Sequence, residues 1–201
     1  VVKGRTQSSI AQEAARIICE ESLTDYRLAK QKALHRLGLP VKTPLPKNVD
    51  IETAVIEYQR LFGGRHYAER MRKLRETALQ AMKLLAQFDP RLVGAVVSGA
   101  ISDANRVQLH AFCDKPEALD AFLHNQGIVY RQDEREYRFP DGSLEMIPLV
   151  RFEAGDVGID VAAFGLGDER RLPISPGDGA PMRRLAAAEV EALDTIEESG
   201  P

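Results

Sequence analysis

The chain has 201 residues, 44% of them hydrophobic and 28% charged, with a formal net charge of −3. This is the composition of a folded domain or two, with enough apolar volume for a core that needs no staples. It excludes collagen-like and low-complexity classes, and no apolar run approaches the roughly 20 residues of a bilayer span.

No charged-then-apolar leader is expected. Cys19 and Cys113 are far apart in apolar settings, so neither a disulfide framework nor a metal cluster is expected, and a reducing cytoplasm is. The net charge conceals an asymmetry: residues 1–90 carry 16 Lys+Arg against 10 Asp+Glu, and residues 91–201 carry 11 against 20. A basic half can be a nucleic-acid footprint or a set of solvated helix faces, and no aromatic platform accompanies the charge here.

The first half reads as helical. SSIAQEAARIICEES (8–22) opens on serines able to cap a helix and sets Ile10, Ala14, Ile17 and Ile18 at helical spacing. TDYRLAKQKALHRLG (24–38) starts at Thr24 or Asp25, stops at Gly38, and carries a stripe of Leu28, Leu34 and Leu37. The proline-rich PVKTPLPKN (40–48) reads as a linker, and a third helix over 51–62 is closed by Gly63-Gly64. A longer helix, 65–88, buries Met71, Leu74, Ala78, Leu85 and Phe88 and turns Arg65, Arg72, Lys73 and Glu76 outward.

The second half changes period. RLVGAVV (91–97) suits a strand buried on both faces, and RVQLHAFC (106–113) alternates, with Arg106, Gln108, His110 and Phe112 on one side. PEALDAFLHNQG (116–127) is a helix with proline in its first turn and glycine at its end. Strands at 128–139 and 143–152 join through Pro140-Asp141-Gly142, and Pro148 marks an edge or bulge in the second. A buried strand VGIDVAAF (157–164), a polar loop (168–181) and a helix over about 183–196 complete the chain. The predicted fold class is α+β: a helical region (1–90), then a mixed β-sheet domain covered by helices (91–201).

The glycine-rich phosphate loops and the Gly-x-Ser-x-Gly elbow are absent, and His35, His66, His110 and His124 have no metal-ligand spacing. His110 is the one histidine inside a predicted strand. The charges of RQDEREYR (131–138) read as cross-strand pairs on a solvated face, and Arg183-Arg184 as part of a loop closing over the sheet.

A strand, a small-residue loop and a second strand in SGAISDANRVQLHAF, then the helix PEALDAFLHNQG, resemble the DNA polymerase β-type nucleotidyltransferase superfamily. In that superfamily a Gly-Ser pair ends one strand, Asp-x-Asp opens the next, and a third Asp comes from a later strand. Together the carboxylates hold two divalent ions. The resemblance places Ser98-Gly99 at the small pair, in reversed order, Arg106-Val107-Gln108 at Asp-x-Asp, and Asp160 at the third Asp.

The departures decide the expectation. Mg²⁺ is held through oxygens, whereas Arg106 puts a cation at that position and Gln108 offers at best a neutral carbonyl. Asp103-Ala104-Asn105 offers another Asp-x-polar spacing, too early in the loop. Arg106 is either a fork for an anion or nucleotide, with Ser98, Gly99 and Gln108, or the salt-bridge partner of Asp160, which as a charge in an apolar run needs one. The expected protein is a degenerate member, a pseudoenzyme that binds an anion, nucleotide, protein partner or second copy, without cofactor. The alternatives are an active, Mg²⁺-dependent nucleotidyltransferase with Asp160 catalytic, and a nucleic-acid binder using Arg65, Arg70, Arg72, Lys73 and Arg75.

Overall fold

A computed structural model describes residues 2–177 and 179–198. The fold is α+β, with a five-stranded mixed sheet and helices packing on it. The chain groups into two compact units. One holds Val1–Met71, Gly99–Asn105 and Pro176–Gly179, and the other Arg72–Ser98, Arg106–Ser175 and Ala180–Pro201. Residues 72–90, placed with the helical region from sequence, thus group with the sheet.

The first unit is built on α1 (Val2–Glu20), α2 (Tyr26–Arg36) and α3 (Asn48–Tyr58), with α1 packed against both others. Ile10, Ala14, Ile17 and Ile18 are buried as their spacing predicts. Burial of a side chain of this size stabilises by about 1.5–3 kcal/mol. The helix starts before the expected serine cap, and Ser9 instead donates back to the Arg5 carbonyl one turn earlier. Asp25 caps α2, accepting from the N–H groups of Arg27 and Leu28 at 2.8 and 3.1 Å. The buried face of α2 is Ala29, Ala33 and Leu34 rather than the expected leucine stripe, since Leu28 and Leu37 are each 39% exposed.

Gly63-Gly64 does not close a helix with a loop. A π-helical turn, Gln59–Gly63, leads directly into α4 (Gly64–Leu84). Met71, Leu74, Ala78, Leu85 and Phe88 are all buried as expected. A 3₁₀ turn, Ala86–Phe88, finishes this stretch at Asp89, which is left-handed with φ 44°.

In the second unit, the run LVGAVV is not one strand. It splits at Gly94, whose φ of +78° turns β1 (Arg91–Val93) into the short α5 (Ala95–Ser98). A Cβ at Gly94 would also lie 2.6 Å from Gln108 Oε1. β2 (Val107–Cys113), α6 (Glu117–Asn125), β3 (Tyr130–Arg138), β4 (Leu144–Ala154) and β5 (Val157–Gly165) follow. Their order in the sheet is β1-β2-β5-β4-β3, with β2 and β5 parallel and the other pairs antiparallel.

Pro148 lies opposite Glu134 of β3, one residue before β4 begins to pair with β5. The proline therefore costs no ladder hydrogen bond. On α6, Leu119 and Leu123 are buried, and Phe122 meets Phe88 edge-on at 5.5 Å. The last helix, α7 (Ala187–Glu198), starts later than expected. Leu185 exchanges two backbone hydrogen bonds with Leu92 of β1, so Arg183 and Arg184 precede the helix in extended chain. No helix among the described residues is long and apolar enough to cross a membrane.

Candidate functional site

Strand register puts Gln108, Asp160, Arg151 and Arg131 side by side across β2, β5, β4 and β3, so their side chains share one sheet face. Asp160 is 4% exposed in a strand whose residues 157–164 are all buried, so its charge must be met by protein groups. Arg106 Nε donates to Oδ1 at 2.7 Å and Arg135 Nη2 donates to Oδ2 at 2.9 Å. Arg151 Nε lies 3.8 Å from the same Oδ2. The salt-bridge alternative for Arg106 is thus the one formed.

The rest of the Arg106 guanidinium is also engaged. Nη1 donates to Glu153 at 2.7 Å, and Nη2 points to the carbonyls of Phe152 and Ile159 at 3.2 and 3.4 Å. Burial works against its charge, but Glu153 and Asp160 outweigh that and hold its pKa above the ordinary guanidinium value. The side chain lies flat on Gly158, where a Cβ would come within 1.8 Å of Nη1. Only glycine leaves that space.

The same face continues into a buried polar chain. His110, expected on a polar strand edge, is fully buried, because the segment after β5 lays Met182 and Arg184 over this end of the sheet. Arg184 Nε donates to His110 Nδ1 at 3.0 Å, so the imidazole is neutral and carries its hydrogen on Nε2, 3.2 Å from the Tyr137 hydroxyl. Burial, then Arg184 and Arg135, push the His110 pKa well down. Arg184 sits over the rings of Phe112 and Phe164 and donates to the carbonyls of Asp168 and Glu169. Burial lowers its pKa to about 10. Arg135, two residues before Tyr137 on the same face of β3, links this end of the sheet to Asp160.

The remaining predicted site residues do not converge. Ser98 is exposed, with its hydroxyl 3.4 Å from the Ala95 carbonyl, and it groups with the sheet unit while Gly99 groups with the helical one. Gln108 is half-buried beside Gly94. In the helical unit, Asp103 accepts from His66 Nε2 at 2.8 Å, and the Asn105 side chain turns back onto Ser102, so this pair offers no second carboxylate set. Arg70 donates to the carbonyls of Asp103 and Asn105. Among the described residues no group of three His, Cys, Asp or Glu is placed to hold a metal ion.

The basic helix is also partly spent. Arg75 is buried, Lys73 pairs with Asp156 at 2.5 Å, Arg72 lies 3.9 Å from Glu76, and Arg65 is exposed. Arg75 therefore leaves the solvent-facing set.

Sequence reasoning passed over Arg135, Tyr137 and Arg151. RQDEREYR is no purely solvated face: Tyr137 is buried and Arg135 reaches Asp160. The period of two in Arg131, Asp133, Arg135 and Tyr137 was the available signal. Family models, curated proteins and solved structures were all compared with the chain, and none matches, so a functional reading rests on this geometry alone.

Proposed function

We propose that the protein is nucleotidyltransferase-like, with its metal position occupied by an internal ion pair, and that it binds an anion or nucleotide without metal-dependent turnover. The observation carrying this is the double engagement of Asp160, with Arg106 on one oxygen at 2.7 Å and Arg135 on the other at 2.9 Å. A carboxylate saturated by two guanidiniums has little left to offer a divalent ion, and a cation already occupies the neighbouring space. The register supports the reading. Gln108, at the second Asp-x-Asp position, lies directly beside Asp160 on the adjacent parallel strand, as a shared site requires. Cytoplasmic residence and a protein partner or second copy belong to the same proposal.

The test is a thermal-shift panel of nucleoside triphosphates with and without Mg²⁺ or Mn²⁺, beside an assay for label transfer. Specific binding raises stability by RT ln(1 + [L]/Kd). Stabilisation without metal, and no transfer, is expected. Stabilisation that strictly requires metal, or transfer abolished by Asp160→Ala, establishes the active enzyme instead. Nucleic-acid binding that falls steeply with salt and with charge reversal at Arg65 and Arg72 would favour the basic helix.

A further inference from the structure

Arg131 and Arg151 face each other directly across β3 and β4. Like charges in that position are destabilising, and an anion seated between them would relieve the repulsion. Arg135, further along β3 on the same face, brings a third guanidinium. Arg135 and Arg151 both approach the same Asp160 oxygen, at 2.9 and 3.8 Å, so their planar groups are neighbours. Their side chains are 29% and 41% exposed, so solvent reaches both.

Four arginines on this face (106, 131, 135 and 151) meet three carboxylates (Asp133, Glu153 and Asp160). Asp160 is buried and committed. Asp133 is not: one oxygen pairs with Arg151 at 3.1 Å, the other accepts from its neighbour Glu134 N–H, and its side chain is 44% exposed. Glu153 is exposed as well, but it pairs with Arg106; Asp133 is the acid paired with Arg151, and it can swing into water without being stranded in apolar surroundings.

We propose that Arg131, Arg135 and Arg151 form a metal-free subsite for a phosphate group, in which Asp133 is the internal stand-in that the ligand displaces. The planar fork of arginine matches a tetrahedral oxyanion with paired N–H donors, and two or three such forks around one point favour phosphate over a flat carboxylate. The inference rests on the reading that this face binds an anion without metal, and it assigns that anion's class and its contacts.

The experiment is calorimetric titration of the full chain, in chelator, with inorganic phosphate, pyrophosphate, triphosphate and succinate. Wild type is compared with Arg151→Gln and Asp133→Asn. Phosphate compounds are expected to bind and succinate not to. Arg151→Gln weakens binding by about tenfold or more, as loss of a charged hydrogen-bond donor should. Asp133→Asn tightens binding several-fold by removing the competitor, a gain that a merely damaged fold cannot produce, so this variant decides the matter even if Arg151→Gln folds poorly. Absence of binding at millimolar concentration, equal binding of succinate, or binding indifferent to Asp133→Asn overturns the subsite. Metal-free binding that ignores these residues overturns the subsite alone. Binding of triphosphate that strictly requires added Mn²⁺ overturns the underlying reading as well.

Discussion

Replacing Arg106 by alanine removes the partner of Asp160 Oδ1 and leaves a 4% exposed carboxylate with Arg135 as its remaining hydrogen-bonded cation. Breaking a fully buried ion pair from one side costs about 3–5 kcal/mol. The cost here is smaller, because the Arg106 side chain is 32% exposed and Arg135 stays in place. The carbonyls of Phe152 and Ile159 also lose a donor, at long distances of 3.2 and 3.4 Å. The balance is about 1.5–3 kcal/mol, or a fall in melting temperature of about 4–10 °C for a chain of this length. Urea denaturation of R106A, D160N and the double variant measures it as a cycle. The account expects the double variant to lose clearly less than the sum of the two single losses. A loss for R106A below about 0.5 kcal/mol, the scale of an ordinary surface change, or a strictly additive double variant, would refute the reasoning.

Gly158→Ala should act through the same bridge, since its Cβ would meet Arg106 Nη1 at 1.8 Å; thermal melts are expected to fall at least as far as in R106A, and a neutral result would mean that Arg106 is elsewhere. His110 gives a pH dependence with a definite sign. Its folded pKa lies well below 6.5, so the unfolded chain binds a proton first, and stability is full above about pH 6.5 and lost as pH falls below it. Urea midpoints measured across that range should therefore drop on acidification, and more weakly in His110→Gln; carboxylates such as Glu13 and Glu145, whose pKa values are lowered from 4.5, act only at lower pH. Asp25→Ala removes a cap that meets two backbone N–H groups, and should destabilise the helical unit by about 0.5–2 kcal/mol in denaturant titrations, with Asp25→Asn closer to wild type.

What the residues disclose on their own divides along physical lines. Local signals worked where a single residue sets the backbone: Asp25 as a cap, Gly38 and Gly127 at helix ends with φ of +63° and +68°, and Asp141-Gly142 in the β3–β4 turn. They misled where two structures share one signal. Gly94 inside LVGAVV looked like part of a strand and is its end, while Gly63-Gly64 looked like a stop and is a π-helical passage. The need of Asp160 for a partner was legible, because a lone carboxylate in an apolar run must be answered. That Arg135 and Arg151 join Arg106 there was not, since it depends on how β3, β4 and β5 are set in register, which no single stretch encodes. His110 escaped for the same reason: its cover comes from Arg184, 74 residues further along.

Manganese binding followed by electron paramagnetic resonance, with a nucleoside triphosphate present, tests the central claim most directly, because it reports the ion itself at the place where Arg106 meets Asp160. The account predicts no protein-bound Mn²⁺ signal that depends on Asp160, so that the spectra with wild type and with Asp160→Asn are the same. A stoichiometric protein-bound Mn²⁺ signal in wild type that disappears in Asp160→Asn would contradict it.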